Sequence, residues 1–318
     1  MGRPGGADLK LALKIDVDTY RGTRTGVPRL LELLRRFEAQ ASFYFSLGPD
    51  HTGRAVMRAL RPGFIGKVKR TSVLSHYGLK TLLYGTLLPG PDIGRGCAEI
   101  MKSVADAGHE VGIHCWDHVK WQDGVARADQ AWTEKQLNKA SERFSEIFGC
   151  AASTHAAAGW QMNRHALRLT QRLGFVYASD TRGTRPFMPV CDGELVACPQ
   201  LPTTLPTLDE IIGQEGVTAA NAHEFLLRAT TLPQDHVYTL HAELEGQKLA
   251  PVLERLLEGW RSQGYRLCPL QSLHADLDLA RLPRHEVIRA SIPGRAGTLM
   301  VQGEEFLGEH HASPRQEG

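Results

Sequence analysis

Short apolar segments alternate with amphipathic segments along most of the chain. Amphipathic segments with apolar residues at helical spacing predict helices over 27–37, 97–107, 133–148, 163–173 and 251–263. The apolar segments predict buried strands over 9–15, 41–47, 110–114, 151–156, 175–179, 195–201, 237–241 and 266–270. This alternation predicts an α/β fold with a parallel sheet, and about eight strands favour a closed or nearly closed barrel over an open sheet.

Two segments interrupt this rhythm. Residues 51–95 are too long for a simple loop, and residues 182–194 form a Pro/Gly-rich connection. Long excursions from a compact barrel usually have a function. We expect a single domain over residues 8–302 with an insertion at 51–95, followed by a polar, flexible tail over 303–318.

Composition narrows the class of protein. The 318 residues are 42% hydrophobic and carry a net charge of +2, so a large core is expected and the whole molecule is not a polyanion binder. No window holds 18 uninterrupted apolar residues, and the Gly-rich start lacks the apolar core of a signal peptide. The six cysteines form no C-x-x-C pair, so we expect free thiols in a reducing cytoplasm and no zinc ribbon.

Candidate metal ligands follow two of the predicted strands. His114 and His118 are four residues apart and would share one face if the segment turned helical, which suits binding of one ion. Asp16 and Asp18 follow the first strand, where a buried carboxylate needs a partner such as a cation. The alternatives are two unrelated polar histidines and an aspartate pair that caps a helix or braces a loop.

Two further polar residues lie at predicted strand ends. His241 could protonate a leaving amine as general acid, and Asp180 could hold that imidazole in orientation. A structural histidine and an Asx-type loop residue are the alternatives. Two imidazoles and one carboxylate suit Zn²⁺, with Mn²⁺ or Co²⁺ also able to bind.

The order of these motifs resembles the polysaccharide deacetylase (NodB homology) family. The matching residues are Asp16 and Asp18, His114 and His118, and Leu240-His241. The resemblance implies a distorted (β/α) barrel of seven to eight parallel strands and one divalent metal ion. It also implies Asp18, His114 and His118 as metal ligands, Asp16 as general base and His241 as general acid.

The sequence departs from the family pattern at three places. Val17 separates the two aspartates, which leaves open an exchange of the base and ligand roles between them. The stretch Ala156–Trp160 lacks the arginine that braces the base in the family, and Asp180 is followed by Thr181 where the family pairs its aspartate with a tryptophan. A standard polysaccharide substrate is therefore not expected.

Five longer stretches resemble one branch of the family, over residues 15–24, 46–50, 114–118, 156–160 and 241–246. The branch resemblance implies hydrolytic removal of formyl from a formamido-arabinose carried on undecaprenyl phosphate. That reaction is a step in lipid A modification and polymyxin resistance. The competing interpretations are an N-acetyl-glycan deacetylase with the same site and a non-catalytic lipid-carrier or glycan-binding protein. Arg21, Arg24 or Arg182 could hold the substrate phosphate.

The composition of the insertion at 51–95 indicates which partners the protein binds. Residues 51–91 contain no Asp or Glu, and the segment combines many apolar residues with seven basic ones: Arg54, Arg58, Arg61, Lys67, Lys69, Arg70 and Lys80. Basic and apolar residues in a segment too interrupted to span a membrane are typical of binding to an anionic lipid surface. A surface helix pair with a solvated basic face is the alternative. We expect a peripheral protein on the cytoplasmic face of the bacterial inner membrane, with a lipid-linked sugar as substrate and no nucleic-acid or protein partner.

Overall fold

Seven parallel strands form the central sheet in the computed structural model, which describes residues 9–59 and 83–307. These strands are β1 (Lys10–Val17), β2 (Ser42–Ser46), β3 (Glu110–Cys115), β4 (Thr154–His155), β5 (Tyr177–Ala178), β8 (His236–His241) and β9 (Arg266–Cys268). A second sheet contains β6 (Met188–Cys191), β7 (Glu194–Leu195), β10 (Arg284–Ala290) and β11 (Leu299–Glu305).

Ten α-helices are described between these strands. They are α1 (Val27–Arg36), α2 (Thr52–Ala59), α3 (Ile93–Asp106), α4 (His118–Gly124), α5 (Gln130–Phe148), α6 (Arg164–Arg172), α7 (Leu208–Ile211), α8 (Ala222–Ala229), α9 (Ala250–Ser262) and α10 (Leu270–His274). Within the described ranges, no helix is long and apolar enough to cross a membrane. All six cysteines are free thiols, as expected.

The central sheet is a half-barrel with the strand order β5-β4-β3-β2-β1-β8, and β9 pairs with the beginning of β1. This architecture confirms the predicted distorted α/β barrel. In the described part of the chain, no strand pairing joins the two ends of that order. Its parallel strands direct their carboxyl ends to one edge, where ligands bind in α/β folds.

Strand β1 runs through the centre of the sheet and is buried along its whole length. Because side chains alternate across a strand, its residues fall into two sets. The odd-numbered set belongs to the main apolar core: Leu11, Leu13, Ile15 and Val17. The even-numbered set carries Ala12, which lies in a second apolar cluster with Tyr44 and Tyr177, together with the polar residues Lys10, Lys14 and Asp16.

The predicted strand over 195–201 is wrong. Glu194 and Leu195 form β7, which pairs antiparallel with β6, and Gln200 makes isolated bridges with Ala178 and Phe187. The following residues make a tight turn, in which the Cys198 amide donates to the Val196 carbonyl at 2.9 Å. Pro199 has no amide hydrogen for a strand ladder, so the apolar run is buried as irregular chain.

The second sheet was not predicted. Strand β6 lies inside the segment expected to be a Pro/Gly-rich connection, and β10 joins β6 in parallel and β11 in antiparallel pairing. Strand β11 continues to Glu305, so the ordered domain extends past the predicted start of the tail at residue 303. Strands β10 and β11 are partly exposed and carry charged residues, so they lack the apolar runs that predict buried strands.

The insertion leaves the carboxyl edge directly after β2. Helix α2 begins it, and residues 83–92 bring the chain back to α3. The Asp50 amide donates to the Pro91 carbonyl at 2.9 Å, which closes the base of the insertion. Residues 60–82, on which much of the prediction of a membrane-binding segment depends, lie outside the described residues.

Candidate metal centre and active site

Three strand ends bring the predicted site residues together. Asp16 is the second-last residue of β1. Its register partner in the neighbouring parallel strand is His241, the last residue of β8. Asp18 follows the end of β1, and His114 lies near the end of β3. The sheet register therefore places these four side chains at one edge, although they are up to 225 residues apart in sequence.

Asp18, His114 and His118 form a cluster that can hold a metal ion. Each residue offers one ligand atom, and these atoms lie within 4.8 Å of one another. One carboxylate oxygen of Asp18 is 3.2 Å from Nε2 of His114, and the other is 3.4 Å from Nε2 of His118. The two imidazole rings are stacked, with centroids 5.4 Å apart.

The two histidines reach this cluster by a route that the sequence did not predict. His114 belongs to β3, whereas His118 is the first residue of α4, so the pair does not share one helix face as expected. Between them, Asp117 caps α4 by accepting a hydrogen bond from the Lys120 amide at 3.1 Å, and it binds Nδ1 of His51 at 2.6 Å. A strand, a tight turn and a helix start therefore orient the two rings.

The chemistry of this cluster fits a cation. Nδ1 of His114 lies 2.6 Å from the Ala156 carbonyl, which only accepts hydrogen bonds, so Nδ1 carries the proton. In the neutral ring, Nε2 then directs a lone pair at Asp18, whose buried Oδ1 has no hydrogen-bond donor among the described residues. Burial opposes the charge on Asp18, and positive charge on the His118 imidazole lowers its pKa, so this carboxylate is stabilised by a positive charge beside it.

Asp16 lies beside this cluster and has two unlike oxygens. Its Oδ2 is 3.6 Å from the ammonium of Lys14. Its Oδ1 is 3.9 Å from Nδ1 of His114, is buried, and has no hydrogen-bond partner in the described part of the chain. This oxygen therefore has an unmet hydrogen-bonding capacity, which a proton donor would satisfy.

His241 lies on the other side of the site with a carboxylate next to it. Nδ1 of His241 is 3.9 Å from Asp209, in the short helix α7. Burial alone would lower the pKa of His241, but the charges of Asp209, Asp18 and Asp16 outweigh burial and raise this pKa to about 9. The neighbouring Asp209 carboxylate therefore favours the protonated form of His241, which is the form that a general acid needs.

The expectation that Asp180 orients His241 is wrong. One oxygen of Asp180 accepts hydrogen bonds from Nδ1 of His155 at 2.7 Å and from the Ala157 amide at 2.9 Å. The other oxygen accepts from the Gln200 side chain. Asp180 is fully buried and both of its oxygens accept hydrogen bonds from these donors, so it connects β4 with β5. The carboxylate beside His241 is that of Asp209.

Two glutamates after His241 hold the strand ends in place. Oε1 of Glu243 accepts from the amides of Asp18 and Thr19 and from the Thr19 hydroxyl, at 2.8–3.1 Å. Oε2 of Glu245 accepts from the amide of His241 at 3.0 Å. Burial and the nearby Asp18 charge raise the pKa of Glu243 to about 8, and burial raises that of Glu245 to about 7.

Gly22 shows how closely the first loop approaches these glutamates. A Cβ at this position would lie 1.8 Å from Oε1 of Glu243, so only glycine fits there. Glu243, Glu245 and Asp209 were not predicted as site residues. The stretch His241–Gly246 contained a signal for the first two, and the Thr207/Glu210 capping box contained one for the helix that carries Asp209.

Arg182 is engaged in structural contacts. Its guanidinium donates to Glu210 at 2.6 Å and to the carbonyls of Leu205 and Thr203. It also lies 5.1 Å from the ring of Trp160. Because these groups occupy it, Arg182 is a poor candidate for the substrate phosphate, and Arg21 and Arg24 keep that predicted role.

Comparisons with known proteins agree with this arrangement. The polysaccharide deacetylase family profile matches residues 10–178, more than half of the chain, and this region includes Asp16, Asp18 and both clustered histidines. The chain belongs to the polysaccharide deacetylase family. His241 lies beyond the matched region.

Two relatives cover almost the whole chain. A Shewanella sediminis protein named "Probable 4-deoxy-4-formamido-L-arabinose-phosphoundecaprenol deformylase ArnD" is 40% identical over 92% of this chain and 94% of its own length. A Wigglesworthia glossinidia brevipalpis protein of the same name is 33% identical over 88% of this chain and 98% of its own length. A peptidoglycan deacetylase of Helicobacter pylori is 27% identical over 44% of the chain.

Solved structures show the same fold. A Mycobacterium smegmatis protein assigned to the polysaccharide deacetylases superposes with a TM-score of 0.63 at 19% identity, over 92% of this chain and 98% of its own. A CE4 family pseudoenzyme from Bacillus anthracis has a TM-score of 0.50 at 14% identity, over 90% of this chain and 71% of its own. At these identities the likeness supports the fold alone.

Proposed function

We propose that this chain is an amide hydrolase that removes the formyl group from a 4-formamido sugar carried on undecaprenyl phosphate. Water adds to the formyl carbon, the C–N bond breaks, and the products are formate and the free amine. The observation that carries the proposal is the convergence of Asp16, the Asp18–His114–His118 cluster and His241 at one sheet edge. The names of the two long relatives supply the substrate.

Each residue has a chemical role in this proposal. Asp18, His114 and His118 would hold one divalent cation, for which zinc is the first choice and manganese and cobalt are alternatives. When bound, the cation supplies positive charge that acidifies water and polarises the formyl carbonyl. Asp16 accepts the proton of the attacking water at Oδ1. His241 donates the proton on Nε2 to the departing nitrogen, and the Asp209 carboxylate, 3.9 Å from Nδ1, stabilises the protonated ring before transfer.

The direct test uses the lipid-linked formamido sugar and mass spectrometry. We expect the purified protein to convert it to the amino sugar with release of formate, and to lose this activity with a chelator and regain it with Zn²⁺. The matched acetamido sugar is the control, because one relative, which covers 44% of the chain, is named a peptidoglycan deacetylase. Faster release of acetate than of formate would favour an N-acetyl-glycan deacetylase. No release of either would contradict the proposal.

We also propose that the insertion binds the membrane surface and holds the protein on the cytoplasmic face of the inner membrane. Its described end forms a tight turn, in which the Leu88 amide donates to the Leu83 carbonyl at 2.9 Å. Leu87 at this turn is 81% exposed. Arg54 of α2 donates to the Gly85 carbonyl at 2.8 Å, so a basic side chain lies beside the exposed leucine.

A position on the membrane surface suits a substrate that is itself held in the membrane by its undecaprenyl chain. The base of the insertion contacts the site through Asp50, which accepts from the Tyr20 amide at 2.9 Å. We expect Leu87→Asp to weaken binding to vesicles containing anionic lipid by about tenfold, because a leucine side chain no longer enters the interface. Leu232→Asp, at another exposed leucine, is the matched control. Equal binding of Leu87→Asp and the wild-type protein would contradict this docking surface.

A further inference from the structure

Lys14 is a fully buried lysine next to the site, and its burial needs a reason. Its side chain is 0% exposed and lies on the even-numbered face of β1, two residues before Asp16. An ammonium removed from water destabilises a protein unless it is paired and hydrogen-bonded. An apolar residue would satisfy the core packing at this position, so the charge points to a specific task.

The contacts of Lys14 direct its ammonium at one oxygen of Asp16. Nζ donates to the Ser179 carbonyl at 3.0 Å and lies 3.6 Å from Oδ2 of Asp16. It also lies 5.1 Å from the ring centroid of Trp160 and 6.0 Å from that of Tyr44, in the range of cation–π contacts. Four groups from four parts of the chain therefore fix the position of one ammonium.

The two oxygens of Asp16 differ as a result. Oδ2 faces the ammonium, whereas Oδ1 is buried without a hydrogen-bond partner among the described residues. The ion pair at 3.6 Å favours the side-chain orientation in which Oδ2 faces the ammonium, and Oδ1 then keeps one direction. A general base works efficiently only when its accepting atom is held in this way.

We propose that Lys14 is a positioning residue that holds Oδ2 of Asp16, so that Oδ1 is presented to the water that attacks the substrate amide. The inference rests on the proposed function, because it assumes Asp16 as the base. Lys14 itself does not touch the reacting atoms. Its effect passes through Asp16, and the experiment can test that dependence.

The chain provides a matched control in the same strand. Lys10 is also buried and also lies on the even-numbered face of β1. Its Nζ donates to the Ser272 carbonyl at 2.9 Å and pairs with Asp276, at the opposite end of the strand from the site. Lys10→Met therefore removes a buried ammonium from β1 without changing the surroundings of Asp16.

The experiment measures Lys14→Met, Lys10→Met, Asp16→Asn and the double variant Lys14→Met/Asp16→Asn. We expect Lys14→Met to lower kcat for formate release by about 10²-fold with KM changed by less than about threefold. Metal content should equal that of the wild-type protein. In the Asp16→Asn background, Lys14→Met should cause no further loss, because it acts through Asp16. Lys10→Met should keep the wild-type kcat.

A crystal structure of Lys14→Met is the readout that needs no substrate. We expect the Asp16 carboxylate to rotate away while Asp18, His114 and His118 stay in place. If Lys14→Met does not fold, Lys14→Gln replaces it with the same expectations, since its shorter, uncharged amide does not reach Asp16. An unmoved Asp16 carboxylate, an unchanged kcat or an additive double variant would overturn the proposal. A wild-type protein inactive on the formamido sugar would contradict the proposed function, and the rotation of Asp16 would still decide the role of Lys14.

Discussion

Two histidine–aspartate pairs lie at the carboxyl edge of the same sheet and differ in almost every respect. In the first pair, His155 at the end of β4 and Asp180 after β5 are 2.7 Å apart, and both side chains are completely buried. In the second pair, His241 and Asp209 are 3.9 Å apart, and their side chains are 15% and 33% exposed. The sequence analysis predicted that Asp180 orients His241, whereas in the structure Asp209 lies beside it.

The two pairs differ in the number of donors that the aspartate has and in the exposure of the side chains. Asp180 accepts from an imidazole, a backbone amide and the Gln200 side chain, and the ring of His155 stacks on Phe175 at 5.9 Å. Nδ1 of His241 is buried without a hydrogen bond in the described part of the chain. Nε2 of His155 is likewise buried without a hydrogen bond among the described residues, so exposure separates the two pairs. A completely buried pair stabilises a fold, whereas a pair with access to solvent and substrate can transfer a proton.

The largest effect that separates the two pairs is expected from His241→Ala. This change removes the proposed acid, so kcat for formate release should fall by about 10³-fold. Metal content should not change, because His241 is outside the Asp18–His114–His118 cluster. Steady-state kinetics and elemental analysis of the same sample check both statements. Activity near the wild-type level would remove His241 from the mechanism.

The same substitution in the first pair, His155→Ala, should act on stability. It leaves the buried Asp180 without one partner and removes the ring that packs on Phe175. We expect the free energy of unfolding to fall by about 3 kcal/mol, measured by urea denaturation. In the folded variant, kcat should change far less than in His241→Ala. A stable protein with kcat as low as that of His241→Ala would reverse our assignment of the two pairs.

The smallest of the three effects is expected from Asp209→Asn. Activity depends on protonated His241, so kcat/KM should decline at alkaline pH as His241 loses its proton, and the Asp209 charge raises the pKa of this step. Without the Asp209 charge that pKa falls, and the alkaline limb of the kcat/KM profile should move down by about one pH unit. Glu254→Gln, at a surface ion pair with Arg36, is a control that should leave the limb in place. An unmoved limb in Asp209→Asn would show that another group sets this pKa.

The predicted metal ligands illustrate how far sequence motifs reach. Asp18, His114 and His118 do come together, because parallel strands end at one edge and the motifs follow strand ends. Their local geometry was not predictable in the same way. The two histidines were expected on one helix face, but the chain divides them between β3 and α4, with Asp117 as the helix cap.

Lys14 illustrates the opposite case. It lies in the segment 9–15, which was predicted as a buried strand, and polar and apolar residues alternate over 10–18. The same pattern would normally place the polar face in solvent. Here the half-barrel curves around that face, so Lys10, Lys14 and Asp16 are buried and must find partners within the protein.

The sequence by itself determined the parallel α/β architecture, the strand ends that carry chemistry and the family of the chain. These properties follow from local periodicity and from residues close together along the chain. Only the tertiary structure decided that Asp209 and not Asp180 lies beside His241, that Lys14 faces Asp16, and that β6, β7, β10 and β11 form a second sheet. Such pairings join residues far apart in sequence, and sheet register, burial and competition among hydrogen-bond partners select them.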